Sequence, residues 1–213
     1  MNFIKKVYCI LSVQLIATAV LVTASCFHHE YIRFIRNNMW LFWVCLVVNI
    51  ITMYVLIYVR AASRKVPINF VLLSAFTLTE AYMVSCITAE YDPESVFIAA
   101  LLTAAIVVAL TVYAFTTKTD FTVCGGLLFT ALTALFFASI LSIFFYSRIV
   151  TIIISACSVV LFSIYLIFDT QLILGKGELK LTVDDYIFAA MNLYIDIIRI
   201  FLELLKIFGQ RRN

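Results

Sequence analysis

Seven long apolar stretches dominate this sequence and constrain its fold more than any other feature. A helix that crosses the hydrocarbon core of a bilayer needs roughly 20 predominantly apolar residues. Because a spanning segment must satisfy its own backbone hydrogen bonds, such runs predict helices. The predicted spans are residues 7–27, 40–59, 68–89, 95–116, 122–145, 149–174 and 186–208.

The composition agrees with a membrane environment. Of 213 residues, 65% are hydrophobic and 13% are charged, whereas a soluble domain is roughly half apolar and about 25% charged. A chain of this length cannot hide so much apolar surface from water. We therefore expect an all-α integral membrane protein, with residues 1–213 in a single polytopic domain surrounded by the lipid bilayer. The net charge of +3 is too small and too evenly spread to indicate a nucleic-acid partner.

The basic residues of the short polar links predict the orientation, since Lys and Arg favour the cytosolic side. Eight lie on the side of the N-terminus: Lys5, Lys6, Arg60, Arg64, Lys65, Lys118, Lys176 and Lys180. The opposite links hold three: Arg33, Arg36 and Arg148. The N-terminus is therefore expected in the cytosol. Either seven crossings, or six crossings and a last segment that enters and returns, would fit these data.

The last run carries ionisable residues on one side of a helix. At about 100° per residue, five polar side chains fall within an arc of roughly 80°. We call them the polar seam: Asn192, Asp196, Arg199, Glu203 and Lys206. Three interpretations are open. The seam neutralises itself through Asp196–Arg199 and Arg199–Glu203 pairs, it lies flat at the membrane surface, or it lines an ion or proton path.

Other acidic residues fall inside or between the predicted spans. Asp169 lies in the sixth run, and Asp196 is its candidate partner, because the short link makes the last two helices antiparallel neighbours. Two carboxyl groups at one site would share a proton. Glu80, near the middle of the third run, is a candidate for the ion path. The link "AEYDPES" carries Glu90, Asp92 and Glu94, and would raise the local cation concentration outside the cytosol.

Four motifs resemble those of a known family. "IFDTQLILG" (167–175) and "DDYIFAAMNLYIDIIRIFLELLKIFG" (184–209) resemble the C-terminal signature of the transmembrane Bax inhibitor motif family, of the lifeguard and Golgi anti-apoptotic type. "RKVPINFVLLSAFTLTEAYMV" (64–84) resembles the passage between that family's second and third helices. "TVYAFTTKTDFTVCGGLLF" (111–129) resembles its passage between the fourth and fifth helices.

The resemblance implies a seven-helix bundle with the last helix central. It also implies a pH-sensitive leak of Ca²⁺, as the permeant ion and with no cofactor, and an anti-apoptotic role in the endoplasmic reticulum, Golgi or plasma membrane. Asp169 and Asp196 match the family's pH-sensing carboxylate pair, and Arg60 or Arg64 matches its latch. Arg199 stands where the family usually has Asn, which would lower the proton affinity of Asp196 and weaken calcium passage or shift its pH dependence.

Two rival functions differ in class from a channel. An intramembrane aspartyl protease would also use two membrane aspartates, but Phe168 and Ile195 precede Asp169 and Asp196, so its motifs are not intact. We therefore expect no enzyme activity. The second rival is a non-conducting membrane adaptor that inhibits apoptosis by binding apoptosis regulators, receptors or ion-channel proteins. No metal ligand set can be assigned from the sequence.

Overall fold

The computed structural model describes residues 2–144, 147–175 and 181–212, and within these ranges every regular element is helical. The α-helices are α1 (Asn2–Phe27), α2 (His29–Asn37), α3 (Met39–Tyr58), α4 (Arg60–Arg64), α5 (Ile68–Thr88), α6 (Pro93–Thr116), α7 (Gly125–Phe144), α8 (Arg148–Leu174) and α9 (Tyr186–Phe208). Short 3₁₀ turns at Thr122–Cys124 and Val183–Asp185 precede α7 and α9. The predicted all-α class is therefore confirmed.

Six helices are long and apolar enough to cross a membrane: α1, α3, α5, α6, α7 with its preceding turn, and α8. They coincide with the first six predicted spans, and the chain is an integral membrane protein with several spanning helices. The ends differ slightly, since α1 begins at Asn2 and α6 at Pro93. Pro93 fits there because the first helical residue needs no N–H partner. Residue 145, the predicted end of the fifth span, lies outside the described residues.

Two links that looked merely polar contain helices. Residues 28–38 form most of α2, in which Ile32 and Ile35 are buried on one side and Arg33 and Glu30 are paired at 3.7 Å on the exposed side. This amphipathic spacing stabilises a short helix without a long apolar run. The link that begins at Arg60 forms α4.

The ends of the last two long helices follow from local residue chemistry. Gly175 ends α8 in the left-handed region, at φ +64°, as expected for a glycine after the last helical turn. Before α9, Thr182 and Asp185 form a reciprocal capping box: each side chain bonds the backbone N–H of the other. These two ends fix where the link between α8 and α9 begins and stops.

The chain divides into two compact units, and the single-domain assignment stays a prediction. The first unit comprises the described residues within 1–94, 182–194 and 210–213. In it, α1 and α3 both pack against α5. Hydroxyl groups connect these helices, with Ser25 bonded to Thr88 at 2.8 Å and Tyr31 bonded to Ser85 at 2.9 Å.

The second unit comprises the described residues within 95–181 and 195–209. Its main contact is between α7 and α8. The Tyr113 ring of α6 meets the Phe121 ring of the following link edge to face, at 6.1 Å between centroids. That link in turn is bonded to the end of α8, which places the acidic residue described next.

Candidate functional site

The predicted carboxyl pair is present in the second unit. Asp169 of α8 is 7% exposed, Asp196 of α9 is 5% exposed, and their carboxyl groups share a hydrogen bond. The second oxygen of Asp196, Oδ2, has no hydrogen-bond partner among the described residues. Two carboxyl groups can bond to each other only when one carries a proton. The geometry therefore makes the pair a protonation site buried between two helices.

Gln171 holds the turn of α8 that carries Asp169. Its Oε1 accepts a hydrogen bond from the backbone N–H of Phe121 at 2.8 Å, and its Nε2 donates to the carbonyl of Thr119 at 2.8 Å. Asp120 closes the same link by accepting from the N–H of Thr122 at 2.8 Å. The buried amide thus satisfies two backbone groups at once and fixes the link between α6 and α7 to α8.

The polar seam does not behave as one surface. Asp196 and Glu203 are buried, Asn192 is partly buried, and Arg199 is exposed. Glu203 pairs with Lys206 at 2.8 Å, so the predicted Arg199–Glu203 pair is wrong. In the part of the chain that the structure describes, Arg199 forms no ion pair with Asp196 either. The reason is that Arg199 projects away from the two acids, while Lys206 lies one turn beyond Glu203.

Of the two latch candidates, Arg64 has an acidic partner outside the carboxyl pair. Its Nη2 lies 2.8 Å from Asp185 Oδ1, its Nε donates to the same oxygen at 2.9 Å, and Nη2 also donates to Thr182 Oγ1 at 3.2 Å. Arg60 is exposed at the start of α4. The pairing of either arginine with Asp169 stays a prediction.

Asp185 is tuned by this contact. Partial burial raises the pKa of Asp185, but the hydrogen bonds from Thr182 and Arg64 outweigh it and leave the pKa below its usual value. The carboxylate is thus held ionised, and it ties α4 to the start of α9. Sequence reasoning missed this contact because 121 positions separate Arg64 from Asp185.

The predicted acidic loop is tied to the C-terminal tail. Glu90 lies 3.9 Å from Arg36, and both side chains are more than half exposed. The carbonyl of Glu90 accepts from the N–H of Arg212 at 3.0 Å, and the N–H of Asp92 donates to the carbonyl of Gln210 at 3.0 Å. Glu94 is exposed in the first turn of α6. The loop thus keeps exposed acids on a backbone fixed by the tail.

The two ends of the α9 segment contact opposite ends of α1. The ammonium of Lys6 lies 3.3 Å from the ring centroid of Tyr186, at the start of α9. After α9, Arg212 donates to the carbonyl of Cys26 at 2.8 Å. Twenty helical residues separate Lys6 from Cys26, which corresponds to about 30 Å. That distance is close to the thickness of a bilayer's hydrocarbon core.

The structure distributes the other predicted residues between the units. Glu80 is buried in α5 and, with Asn192, belongs to the first unit, whereas Asp169, Asp196 and Glu203 belong to the second. In the described ranges, no group of three or more His, Cys, Asp and Glu side chains could hold a metal ion. Sequence reasoning also missed Gln171 and Tyr194, although their polar atoms interrupt otherwise apolar helices.

These features define a class: an all-helical, multi-pass membrane protein with a buried pair of carboxyl groups on two of its helices. The sequence model of the family described as "Inhibitor of apoptosis-promoting Bax1" matches residues 1–213. The chain therefore belongs to the Bax inhibitor family, and the resemblance of its motifs is confirmed.

Known relatives are lifeguard proteins. Protein lifeguard 3 of Mus musculus and protein lifeguard 3 of Homo sapiens are each 33% identical to the chain over 214 residues, which is 99% of the chain and 69% of the relative. Protein lifeguard 4 of Mus musculus is 34% identical over 207 residues, which is 97% of the chain and 84% of the relative. These alignments leave almost none of the chain unmatched.

Proposed function

We propose that this chain is a pH-sensitive, calcium-permeable leak channel of cellular membranes with an anti-apoptotic role. The observation that carries the proposal is the buried hydrogen bond between Asp169 and Asp196. A pair that needs one shared proton changes its charge when a proton is gained or lost. Ionisable groups inside a membrane are costly, and they commonly mark ion or proton pathways. The anti-apoptotic role is carried over from the family description.

The proposed topology has seven crossings, with α9 as the seventh and as the central helix. The contacts of the α9 segment with both ends of α1 support a full crossing over one that enters and returns. The burial of most of α9, including Met191, Ile200 and Leu205 at 0% exposure, supports a central place. With the N-terminus in the cytosol, Glu90, Asp92 and Glu94 would face the opposite compartment.

In the proposed mechanism, the shared proton keeps the pair closed, and Arg60 or Arg64 pairs with Asp169 as the latch. Loss of the proton leaves two adjacent negative charges, which repel each other and separate α8 from α9. Ca²⁺ then passes acidic and polar groups of α9 and α5, namely Asn192, Asp196, Glu203 and Glu80. Arg199 places a positive charge one turn from Asp196 and would weaken calcium passage. No step needs a cofactor or an enzymatic reaction.

Calcium flux from liposomes containing the purified chain tests this proposal across a pH series. Asp169→Asn should change the leak and flatten its pH response, because the shared proton loses one of its two holders. Asp184→Asn is the matched control, since this exposed aspartate lies outside the pair. The same pH-dependent flux in Asp169→Asn as in the unaltered chain would refute the mechanism.

A second candidate function is the non-conducting adaptor that binds apoptosis regulators or channel proteins. One observation favours it: Glu203, a member of the polar seam, is already neutralised by Lys206 on its own helix. A seam neutralised in this way is structural rather than conducting. Absence of flux from the purified chain, together with intact protection of cells that express it, would favour the adaptor over the channel.

A further inference from the structure

A second buried polar cluster lies entirely within the first unit. It is made of five side chains from α1, α5 and the first part of α9, each less than a tenth exposed: Gln14, Thr18, Thr77, Glu80 and Tyr194. We call it the Glu80 cluster. Gln14 and Thr18 are one turn apart on α1, and Thr77 and Glu80 are one turn apart on α5, so each helix contributes one polar face. The Asp169–Asp196 pair contains none of these residues.

Hydrogen bonds connect the three helices through this cluster. Gln14 Nε2 donates to Thr77 Oγ1 at 2.9 Å, and Thr18 Oγ1 bonds the hydroxyl of Tyr194 at 2.7 Å. The carboxyl of Glu80 lies close enough to that same hydroxyl to interact with it electrostatically. The cluster therefore brings side-chain oxygen atoms of five residues together in an apolar interior.

One of these oxygens has no partner. The Oε1 atom of Gln14 is buried and makes no hydrogen bond within the described residues, although the Nε2 of the same amide bonds Thr77. Buried amide oxygens are almost always satisfied by a protein group, an ordered water or an ion. An unsatisfied acceptor at the edge of an oxygen-rich cluster points to a bound group that supplies positive charge or a donor.

The charge balance of the surrounding helices points the same way. Glu80 is the one acidic residue in the sequences of α1, α3, α5 and 186–194. The basic residues of α1 and α4 lie at helix positions near the start of α5, and Glu80 is twelve residues further along, or about 18 Å. The titratable and charged groups of the elements around it are Lys5, Lys6, Tyr8, Cys9 and Cys26 of α1, Cys45, Tyr54 and Tyr58 of α3, Arg60 and Arg64 of α4, Tyr82 and Cys86 of α5, and Tyr186 and Tyr194 of α9.

We propose that the Glu80 cluster is a binding site for one alkali-metal ion, held by the carboxylate and by the oxygens of Gln14, Thr18, Thr77 and Tyr194. A single carboxylate neutralises a single positive charge, whereas divalent ions such as Ca²⁺ are usually held by several carboxylates. A proton would satisfy one acceptor, but an ion of sodium size contacts several oxygens at once, including the unpartnered amide oxygen. The site goes beyond the proposed leak and does not depend on it.

Sodium-dependent thermal stability of the full chain in lipid nanodiscs tests the site. With NaCl against choline chloride at equal ionic strength, the melting temperature of the unaltered chain should rise and then saturate. Near a hundredfold excess over the dissociation constant, linkage predicts a rise of roughly 5–10 °C. Glu80→Gln should abolish the rise. Glu30→Gln, a change at an exposed glutamate, should retain it.

Three further arms make the result decisive. Gln14→Leu should weaken the sodium dependence while keeping Glu80, which separates loss of a ligand from loss of the fold. Asp169→Asn should keep the sodium rise, so a failed channel and a failed sodium site give different results. No rise in the unaltered chain, a rise that persists in Glu80→Gln, or a stability that responds to pH and not to sodium would each overturn the site.

Discussion

Two buried acidic sites in this protein use opposite means to keep a carboxyl group inside a membrane. Asp169 faces a second acid, Asp196, and the two share a hydrogen bond. Glu80 instead lies among neutral hydroxyl and amide groups, with Tyr194 as its neighbour. An acid that faces an acid needs a proton, whereas an acid among neutral oxygens needs one positive charge of any kind. The first site is therefore suited to sensing pH, and the second to holding a cation.

The comparison also separates the contributions of α9. Tyr194 and Asp196 are two residues apart on this helix, yet one belongs to the Glu80 cluster and the other to the carboxyl pair. The residues from Tyr186 to Tyr194 are uncharged, and all four charged residues of the helix come after them. Changes at these two positions should therefore have different effects, and the following experiments measure that difference.

The largest effect is expected for the carboxyl pair. Replacing Asp169 or Asp196 by Asn should flatten the pH response of the leak, which for one proton is at most about tenfold per pH unit. Because one shared proton is lost in either case, the double variant should be no flatter than the single ones. Flux measurements on the three variants check this. Additive effects of the two changes would mean that the carboxyl groups titrate independently.

A smaller effect is expected for the Glu80 cluster. Tyr194→Phe removes the hydroxyl that bonds Thr18, and should lower the free energy of unfolding by about 1 kcal/mol while leaving the pH response of the leak unchanged. The control is Tyr113→Phe, at a residue that is 44% exposed, with an expected change below about 0.5 kcal/mol. Thermal unfolding and flux on the same samples measure both quantities. A flattened pH response in Tyr194→Phe would merge the two sites into one.

The smallest effect concerns Asp185, outside the membrane-spanning helices. Its pKa is lowered in the folded state, so its contact with Arg64 stabilises the fold above the unfolded pKa, about 4, and is lost as pH falls through the folded pKa. We expect less than about 1 kcal/mol, since Arg64 is 36% exposed. Asp185→Asn should remove this acid-sensitive part of the stability, and Asp184→Asn should retain it. Equal acid sensitivity in both variants would exclude the contact as its source.

Apolar length predicted the helices well, because a spanning segment must be both long and apolar. The helix α2 was missed since its stability comes from two buried isoleucines rather than from a long apolar run. The partner of Asp169 was found because one short link joins α8 to α9. No such link joins Gln14 to Thr77, 63 positions apart, so the Glu80 cluster could be assembled only from the folded chain.

The charges of α9 show the same limit at the level of single side chains. Helical spacing places Arg199 beside both Asp196 and Glu203, yet Lys206 is the partner of Glu203. Spacing tells which pairs are in reach, whereas burial decides which side chains turn towards each other. Arg199 is exposed while both acids are buried, and that difference depends on tertiary packing.

The central claim is that Asp169 and Asp196 hold one proton between them, and infrared spectroscopy of the protonated carboxyl C=O stretch tests it most directly. The measurement uses Glu80→Gln as the reference chain, so that Glu80 contributes no signal. We expect a protonated carboxyl band at neutral pH that weakens as pH rises, and that is absent when Asp169 and Asp196 are both replaced by Asn. No band at neutral pH, or the same band after both replacements, would contradict the shared proton.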